Sequence, residues 1–422
     1  MTSQSDMSPR GGASAAEKQS KQSARAREER VAEARTRAEQ ADGLLTGDVL
    51  DHYWKRVYDA DVASRSVDEL VDIPTQHLEA AHRRADGEDV VVVRHLPENL
   101  GVQVVTGDRP FLVDSVIHEL HRLGWDVMGV LHPQLVVRRS AEGVLEAMQV
   151  WTPEHELADG EVVESWMNIT VRPATASADV DAIAENLQRV LEDVRVAVED
   201  WTPMRAELER LAESFRSAPP ATVDPAEATQ AAELLSWLAD DHFTLLGIRE
   251  YALAEVDGEL GLRAEPGSGL GILRGDRALS HDVTTMRPEA RETAREPRPV
   301  TVTKANSRAT VHRDAHLDYV GVRTFDEAGT VVGEIRILGL LTSSAYSASV
   351  RDIPVVRDKA EAIMERSGFG STSHSGKDLL AVLENLPRDD VFQASAGELD
   401  AIAHEVLWIR SSRRPSVILR RD

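Results

Sequence analysis

The sequence predicts an α+β protein, and three of its features carry that prediction. Apolar residues at helical spacing alternate along the chain with short apolar runs that are typical of strands. Between residues 88 and 200 these segments follow the order strand, helix, strands, helix, which is the pattern of a ferredoxin-like βαββαβ module. A second strand-rich region lies between residues 230 and 348 and is flanked by helical segments. The length of 422 residues suggests roughly two to four domains.

Charge and composition exclude several classes of function. The chain has 48 basic and 72 acidic residues and a net charge of −24 at pH 7. A surface of this kind argues against nucleic acid or an anionic membrane as the main partner, because both need local positive potential. The absence of cysteine excludes disulfides, thiol nucleophiles and cysteine-based zinc sites. No apolar stretch approaches the roughly 20 residues that cross a bilayer, and the N-terminus lacks a signal-peptide core. We therefore expect a soluble, cytoplasmic protein.

The N-terminal part of the chain divides into a tail and a helical region. Residues 1–45 are predicted to form a disordered tail that becomes a solvated helix from Ala24. Residues 46–87 are predicted to be helical, with Ser66 as the N-cap of a helix over Val67–Arg84. The apolar residues that recur at three- and four-residue steps in this region are Leu50, Tyr53, Trp54, Val57 and Tyr58.

Residues 88–200 form the predicted βαββαβ module. A strand over Val102–Thr106 leads into a helix that ends at Gly124, as a glycine just past a helix usually does. The long strand Trp125–Arg139 is expected to bend at His132-Pro133. The remaining predicted elements are the strands Val90–Val93, Met148–Thr152 and Glu164–Arg172 and the helix Val180–Val198.

The second half is predicted to contain a helical linker (201–229), a strand-rich domain (230–348) and a helical region (349–412). Within the strand-rich domain, Leu317–Phe325 and Val331–Leu341 are expected to form a hairpin with Gly329 in its turn. Residues 413–422 resemble an isolated strand. They either begin a further, truncated module or add a strand to an earlier sheet.

The segment Thr106–Val116, a strand followed at once by a polar turn and a helix, is the main candidate site. Asp108 is expected to cap the helix, and Pro110 to occupy its first turn. A helix N-terminus also binds carboxylates and phosphates through its free N–H groups, and Arg109 is placed to assist. The residues alone leave both a structural and a ligand-binding role open.

Other candidate constellations point to metal or nucleotide chemistry. The sequence Asp240-Asp241-His242 places two carboxylates beside an imidazole, and His312 and His316 would share one face if they lie on a strand. A metal-dependent enzyme that uses these five residues is one alternative, although the sequence supplies no further ligand. The string Gly267–Ile272 lacks the spacing of a dinucleotide-binding loop. We assign no catalytic residue, no metal site and no cofactor to this chain.

Several long strings resemble the N-terminal region of the large NAD-dependent glutamate dehydrogenases of bacteria. They occur in the order of that family and together cover most of the chain after residue 45. The strings are GDRPFLVDSVIHELHRLGWDV with HPQLVVRR shortly after it, DDHFTLLGIREY, HRDAHLDYVGVRTFDEAGTVVGEIRILGLLTSSAYSASVRDIPVVRDKAEAIMERSGF, SHSGKDLLAVLENLPRDDVFQ and ILRRD.

The resemblance implies a fold and a function. In that family the N-terminal segment carries ACT-like modules and a PAS-like module, and the catalytic domain lies far downstream. Residues 88–200 would then be ACT-like and residues 230–348 PAS-like. The chain would be a regulatory and assembly segment, joined to the rest of a homo-oligomeric enzyme that deaminates glutamate with NAD. The alternative is a stand-alone ACT-type module that senses an amino acid.

The resemblance also identifies candidate ligand-binding residues. The turn at Gly107–Val116 looks like the ligand loop of an ACT module, which often binds an amino-acid effector. The implied ligand-binding residues are Asp108, Arg109, Pro110, Phe111 and Leu112. One of them departs from the pattern, because many ligand-binding ACT loops have glycine directly after the proline and this chain has Phe111. A ring at this position is expected to fill space in which a ligand often lies.

Overall fold

The structure is a computed structural model. It describes residues 15–41, 43–175, 178–256, 259–275, 284–286, 291, 293–370 and 372–412. The chain divides into two compact units, residues 1–192 and residues 193–422, and each is described by itself.

The first unit begins with helices that share a core. Trp54 and Leu50 are fully buried in this core, and the Trp54 indole N–H donates to Leu70 O at 3.0 Å. Ser66 and Glu69 form the capping box that starts the fourth helix, which confirms Ser66 as its N-cap. These helices are α1 (Ala15–Gln40), α2 (Gly47–Trp54), α3 (Asp59–Ser64) and α4 (Val67–Ala81).

Helix α1 differs from the solvated helix that the sequence predicted. Ala34 is fully buried and Ala38 is 3% exposed, and both lie in the core of the first unit. Arg27 Nη2 donates to Trp54 O at 2.9 Å, which ties the helix to α2. The sequence hid this packing because alanines do not form a recognisable apolar stripe. The predicted disorder of residues 1–14 lies outside the described residues.

An antiparallel sheet with the strand order β1-β2-β6-β4-β5 completes the first unit, with β3 also paired to β6. Strands β3 and β4 pair with successive parts of β6 and are separated at His132-Pro133, where the sequence predicted a bend. The elements are β1 (Val90–His95), β2 (Leu100–Gly107), α5 (Leu112–Arg122), β3 (Trp125–Leu131), β4 (Gln134–Arg139), β5 (Leu145–Val150) and β6 (Glu161–Pro173). Helix α6 (Asp181–Glu199) follows, and the division of the chain after residue 192 falls within it.

The topology departs from a complete βαββαβ module at one sheet position. The order strand, helix, strands, helix is present from β2 to α6, as predicted. Among the described residues, no strand after α6 joins this sheet, and Trp201 begins the next helix two residues after Glu199. The position beside β2 is filled by β1, which pairs antiparallel with β2 along residues 90–95. In a complete βαββαβ module, the last strand follows the second helix and pairs with this edge of the sheet. Here β1, which precedes the module in sequence, pairs with the edge strand β2 instead.

The second unit contains an antiparallel sheet with the order β10-β8-β7-β13-β12-β11, and β9 pairs with β7. Helices on either side in sequence pack on one face of it, with Ile248, Ile337 and Val320 in the shared core. The elements are α7 (Trp201–Ser217), α8 (Pro225–Trp237), β7 (Phe243–Val256), β8 (Glu259–Ala264), β9 (Leu270–Gly271), β10 (Thr284–Thr285), β11 (Val300–Arg308), β12 (His316–Phe325), β13 (Val331–Leu341), α9 (Ser343–Ser347), α10 (Val356–Ser367), α11 (His374–Asn385), α12 (Arg388–Gln393) and α13 (Ala396–Ser412).

Two predictions for this half have clear outcomes. The hairpin of β12 and β13 is present, and Gly329 in its turn has the positive φ of 79° that favours glycine. The segment predicted as a helical linker instead contributes to the core of the second unit, with Met204 and Leu208 fully buried. The predicted strand at 413–422 lies outside the described residues. Within the part of the chain that the structure describes, no helix has the length and apolarity to cross a membrane.

Candidate functional site

The turn between β2 and α5 has an unusual backbone. Phe111 is the N-cap of α5 and has φ 71° and ψ −2°, in the left-handed region. Side chains with a Cβ are disfavoured there, whereas glycine adopts it freely. The Ser115 hydroxyl and backbone N–H both donate to Phe111 O, at 2.6 and 3.0 Å, and hold this conformation. The glycine typical of ACT loops would thus occupy a position whose backbone suits glycine.

Asp108 does not cap the helix, and this part of the sequence prediction was wrong. Its Oδ1 accepts from Ser165 Oγ at 2.6 Å and its Oδ2 from Gln134 Nε2 at 3.0 Å. Pro110 precedes the N-cap and so does not lie in the first helical turn. The carboxylate is fixed by two side chains from other strands, because α5 begins four residues after it.

His132 extends this arrangement into a chain of three polar side chains. His132 Nε2 lies 2.8 Å from Ser165 Oγ. Since the serine hydroxyl gives its hydrogen to Asp108, the imidazole must donate to the serine oxygen. Burial lowers the pKa of His132, while the negative charge of Asp108 acts in the opposite direction. The order His132–Ser165–Asp108 differs from a catalytic triad, in which the imidazole accepts the serine proton. The trio orients Asp108 and does not activate a nucleophile.

A cavity of about 310 Å³ borders the turn. Phe111 is only half-buried, so its ring forms part of the wall of a remaining space. The volume lies at the lower end of the range for small-molecule sites. The lining residues are Asp108, Arg109, Pro110, Phe111, Leu112, Val113, Asp114, His132 and Gln134, which include all five candidate residues from the sequence.

The structure does not bring together, as one cluster, the five residues of the hypothesis of a metal-dependent enzyme. His242 stacks on Trp237 with ring centroids 4.2 Å apart, and its Nδ1 contacts Trp237 O at 2.9 Å. His316 begins β12, whereas His312 precedes the strand in a bend with φ 75°, so the expectation of a shared strand face was wrong. Among the residues that the structure describes, no group of three His, Asp or Glu side chains is placed to hold a metal ion.

Three residues at the turn were missed by the sequence analysis as site residues. His132, Gln134 and Ser165 reach it from β6 and from the junction of β3 and β4. One signal was available, since a bend at His132-Pro133 interrupts an otherwise apolar strand with polar side chains. The partner Ser165 lies 57 positions from Asp108, and only the pairing of β2 with β6 brings the two together.

Comparison with known proteins gives two domain matches and a set of relatives. Residues 49–187 match "Glutamate dehydrogenase, ACT1 domain", and residues 353–412 match "Glutamate dehydrogenase, helical motif 1". The first match includes the turn, its cavity and the whole first sheet. The second covers the helices from α10 to α13.

The relatives carry the name NAD-specific glutamate dehydrogenase. The proteins of Halomonas elongata and Pseudomonas aeruginosa are 37% and 38% identical over 323 residues, which is 76% of this chain. The protein of Mycobacterium tuberculosis is 30% identical over 350 residues, or 82% of this chain. The chain spans about a fifth of the length of these curated relatives, 20% in each case. Both domain matches and these three relatives agree, so this chain is similar over most of its own length to one part of the NAD-specific glutamate dehydrogenases.

Proposed function

We propose that this chain is a regulatory and assembly segment of an NAD-dependent glutamate dehydrogenase. The observation that carries the proposal is the match of residues 49–187 to the ACT1 domain of that enzyme family. The parent reaction converts L-glutamate, NAD and water to 2-oxoglutarate, ammonia and NADH, and its catalytic residues and NAD site lie outside this chain. The sequence supports this division because Gly267–Ile272 lacks the spacing of a dinucleotide loop.

The remaining parts of the proposal concern the second unit and the assembly. We infer that the sheet of β7–β13 is a PAS-like module and that α10–α13 dock against other parts of the parent enzyme. The parent is a cytoplasmic homo-oligomer in this account. The support is the match of residues 353–412 to helical motif 1 together with the net charge of −24, which favours solubility.

An activity assay tests the proposal. The purified chain is incubated with L-glutamate and NAD, and NADH is followed by its absorbance, with a commercial glutamate dehydrogenase as the positive control. We expect no NADH above the blank and no heat of NAD binding by calorimetry. Glutamate-dependent NADH formation by the chain alone would overturn the proposal.

A second candidate function is the binding of an amino-acid effector at the turn before α5. The cavity of about 310 Å³ and the two donors that fix Asp108 favour it. Thermal-shift screening against the common amino acids tests it, because a ligand that binds only the folded state raises its melting temperature. A saturable shift that Asp108→Ala abolishes, and that the surface variant Asp86→Ala keeps, would support sensing. No shift with any amino acid would favour the purely structural role.

A further inference from the structure

The second sheet has one apolar face and one charged face. Alternate residues of a strand lie on opposite faces, and Ile248, Ile337 and Val320 contribute to the helical core. On the other face the strand register places Arg249 opposite Arg336. In the neighbouring row of the same face, Tyr251 lies opposite Glu334, and Glu334 opposite Arg323. Six side chains of this face, Arg249, Tyr251, Tyr319, Arg323, Glu334 and Arg336, are called the arginine cluster.

The arginine cluster carries more positive than negative charge. Arg323 Nη1 donates to Glu334 Oε2 at 2.7 Å, and Arg336 lies 3.9 Å from the other oxygen of the same carboxylate. The third guanidinium, Arg249, donates to Leu273 O at 3.4 Å and Gly275 O at 3.1 Å. Within the arginine cluster, three guanidinium groups thus share the carboxylate of Glu334.

Burial makes this excess charge costly. Arg249 and Glu334 are each only 4% exposed, and like charges on directly opposite residues of a sheet are destabilising. A buried charge without a counter-charge is strongly unfavourable. The Arg336 guanidinium is held between two rings, with its Cζ 4.3 Å from the centroid of Tyr251 and 5.3 Å from that of Tyr319. The Arg336 side chain is 26% exposed, so solvent screens part of its charge, whereas Arg249 is almost fully buried.

Three hydrogen-bond donors of the cluster have no partner among the described residues. They are Arg249 Nε, Arg336 Nε and the Tyr251 hydroxyl, and all three atoms are buried. Arg249 and Tyr251 are neighbours on one face of β7, and Arg336 is directly across from Arg249. Burial raises the pKa of Tyr251, so its hydroxyl keeps the proton that it can donate. Three unpaired donors thus lie within one patch that also has excess positive charge.

We propose that Arg249, Arg336 and Tyr251 bind a small anion on this face of the second sheet. The occupant is a group of the size of a chloride ion, a carboxylate or a phosphate that accepts hydrogen bonds from all three donors. A water molecule would satisfy donors but would leave the charge excess uncompensated, which is why an anion is the better occupant. The site lies on the face opposite the helical core and shares no residue with the turn before α5.

Thermal unfolding of the complete chain in different anions tests the proposal. Chloride, acetate and inorganic phosphate are titrated separately at constant ionic strength, so that general screening is held fixed. We expect a saturable rise in melting temperature of about 2–4 °C for the anion that fits. Comparison of the three titrations shows which type of anion the site binds.

Two variants assign the effect to the arginine cluster. Tyr251→Phe removes one hydroxyl and keeps the ring that packs on Arg336, so it is expected to fold and to weaken the anion response at least threefold. Tyr346→Phe makes the same change at a tyrosine that is 38% exposed in the same unit, and it should respond like the parent chain. An equal response of Tyr251→Phe and the parent chain would overturn the proposal, as would the absence of any saturable response.

A diffraction experiment provides an independent readout. Crystals of the complete chain grown with bromide should show anomalous density within hydrogen-bond distance of Arg249 Nε and Tyr251 Oη. Density for water alone at this position, with no anomalous signal, would contradict the proposal.

Discussion

Arg139 holds the carboxylate of Glu164 with two hydrogen bonds, Nε to Oε1 at 2.7 Å and Nη2 to Oε2 at 2.9 Å. Arg84 Nε donates to the same Oε1 at 2.9 Å, and the Trp166 indole donates to Oε2 at 2.9 Å. The Glu164 side chain is fully buried. Burial alone would raise the pKa of Glu164, but the hydrogen bonds of Arg139 and the charges of both arginines outweigh it, so the pKa is lowered.

Replacing Glu164 is therefore expected to destabilise the first unit strongly. Glu164→Gln leaves two buried guanidiniums without a counter-charge, which typically costs about 3–5 kcal/mol. Urea unfolding followed by tryptophan fluorescence measures the loss. Glu146→Gln is the matched control, because Glu146 pairs with Arg138 at 3.5 Å on the surface and is 48% exposed. The control should lose less than about 1 kcal/mol, and equal losses in the two variants would refute the argument.

His77 should make the first unit sensitive to acid. It is fully buried, its Nδ1 contacts the Tyr53 hydroxyl, and its Nε2 lies 3.2 Å from Val104 O. Burial lowers its pKa from 6.5 to about 4. Because the folded value lies below the unfolded one, stability is complete above pH 6.5 and is lost as the pH falls towards 4. The loss amounts to roughly 3 kcal/mol across this window.

The measurement is the free energy of unfolding of the parent chain and of His77→Gln at a series of pH values. The glutamine is uncharged at every pH, so its curve should be flatter between pH 6.5 and 4. The His77→Gln variant should keep part of the pH dependence of stability, because the pKa of His132 is also lowered. Parallel curves would show that His77 does not carry the effect.

The left-handed backbone at Phe111 should reverse the usual order of stability, in which an alanine variant is more stable than a glycine variant. Both Phe111→Ala and Phe111→Gly remove the ring, so they differ mainly in backbone preference. With φ at 71°, the glycine variant should be more stable than the alanine variant by about 1 kcal/mol. Midpoints of urea unfolding decide the question, and an alanine variant as stable as the glycine variant would contradict the strain argument.

Lys359 should act as a C-terminal cap for α12. Its ammonium donates to Val391 O at 3.1 Å, Phe392 O at 2.7 Å and Ala394 O at 2.9 Å, and burial lowers its pKa to about 8. Lys359→Met leaves these carbonyls without their donor, at a cost of about 1–3 kcal/mol. Chemical denaturation of the complete chain measures it. Lys377→Met removes an exposed lysine and should change stability by less than about 0.5 kcal/mol; a similar loss in both variants would rule out the cap.

The elements that the sequence predicted well are those whose signal is local. The apolar stripe of α5, the bend at His132-Pro133 and the β12–β13 hairpin all depend on residues close together in sequence. The two-residue strands β9 and β10 were not predicted, because pairing with distant strands defines them.

The candidate site was likewise predicted only as far as its signal is local in the sequence. The five residues of the turn were found from a contiguous string, and all of them line the cavity. The prediction that Asp108 caps α5 was wrong. The local sequence decides a helix cap only when no other donor binds the same carboxylate more strongly. Here Ser165 and Gln134 compete, and they reach Asp108 through the pairing of β6 with its neighbours.

The central claim is that this chain regulates or assembles a glutamate dehydrogenase without performing the reaction. The most direct measurement compares NADH formation from L-glutamate and NAD by this chain and by the complete product of its gene, at equal molar concentration. The account predicts NADH formation by a longer gene product and none by residues 1–422. Equal turnover by the two proteins, or activity in neither under conditions in which a related dehydrogenase is active, would contradict it.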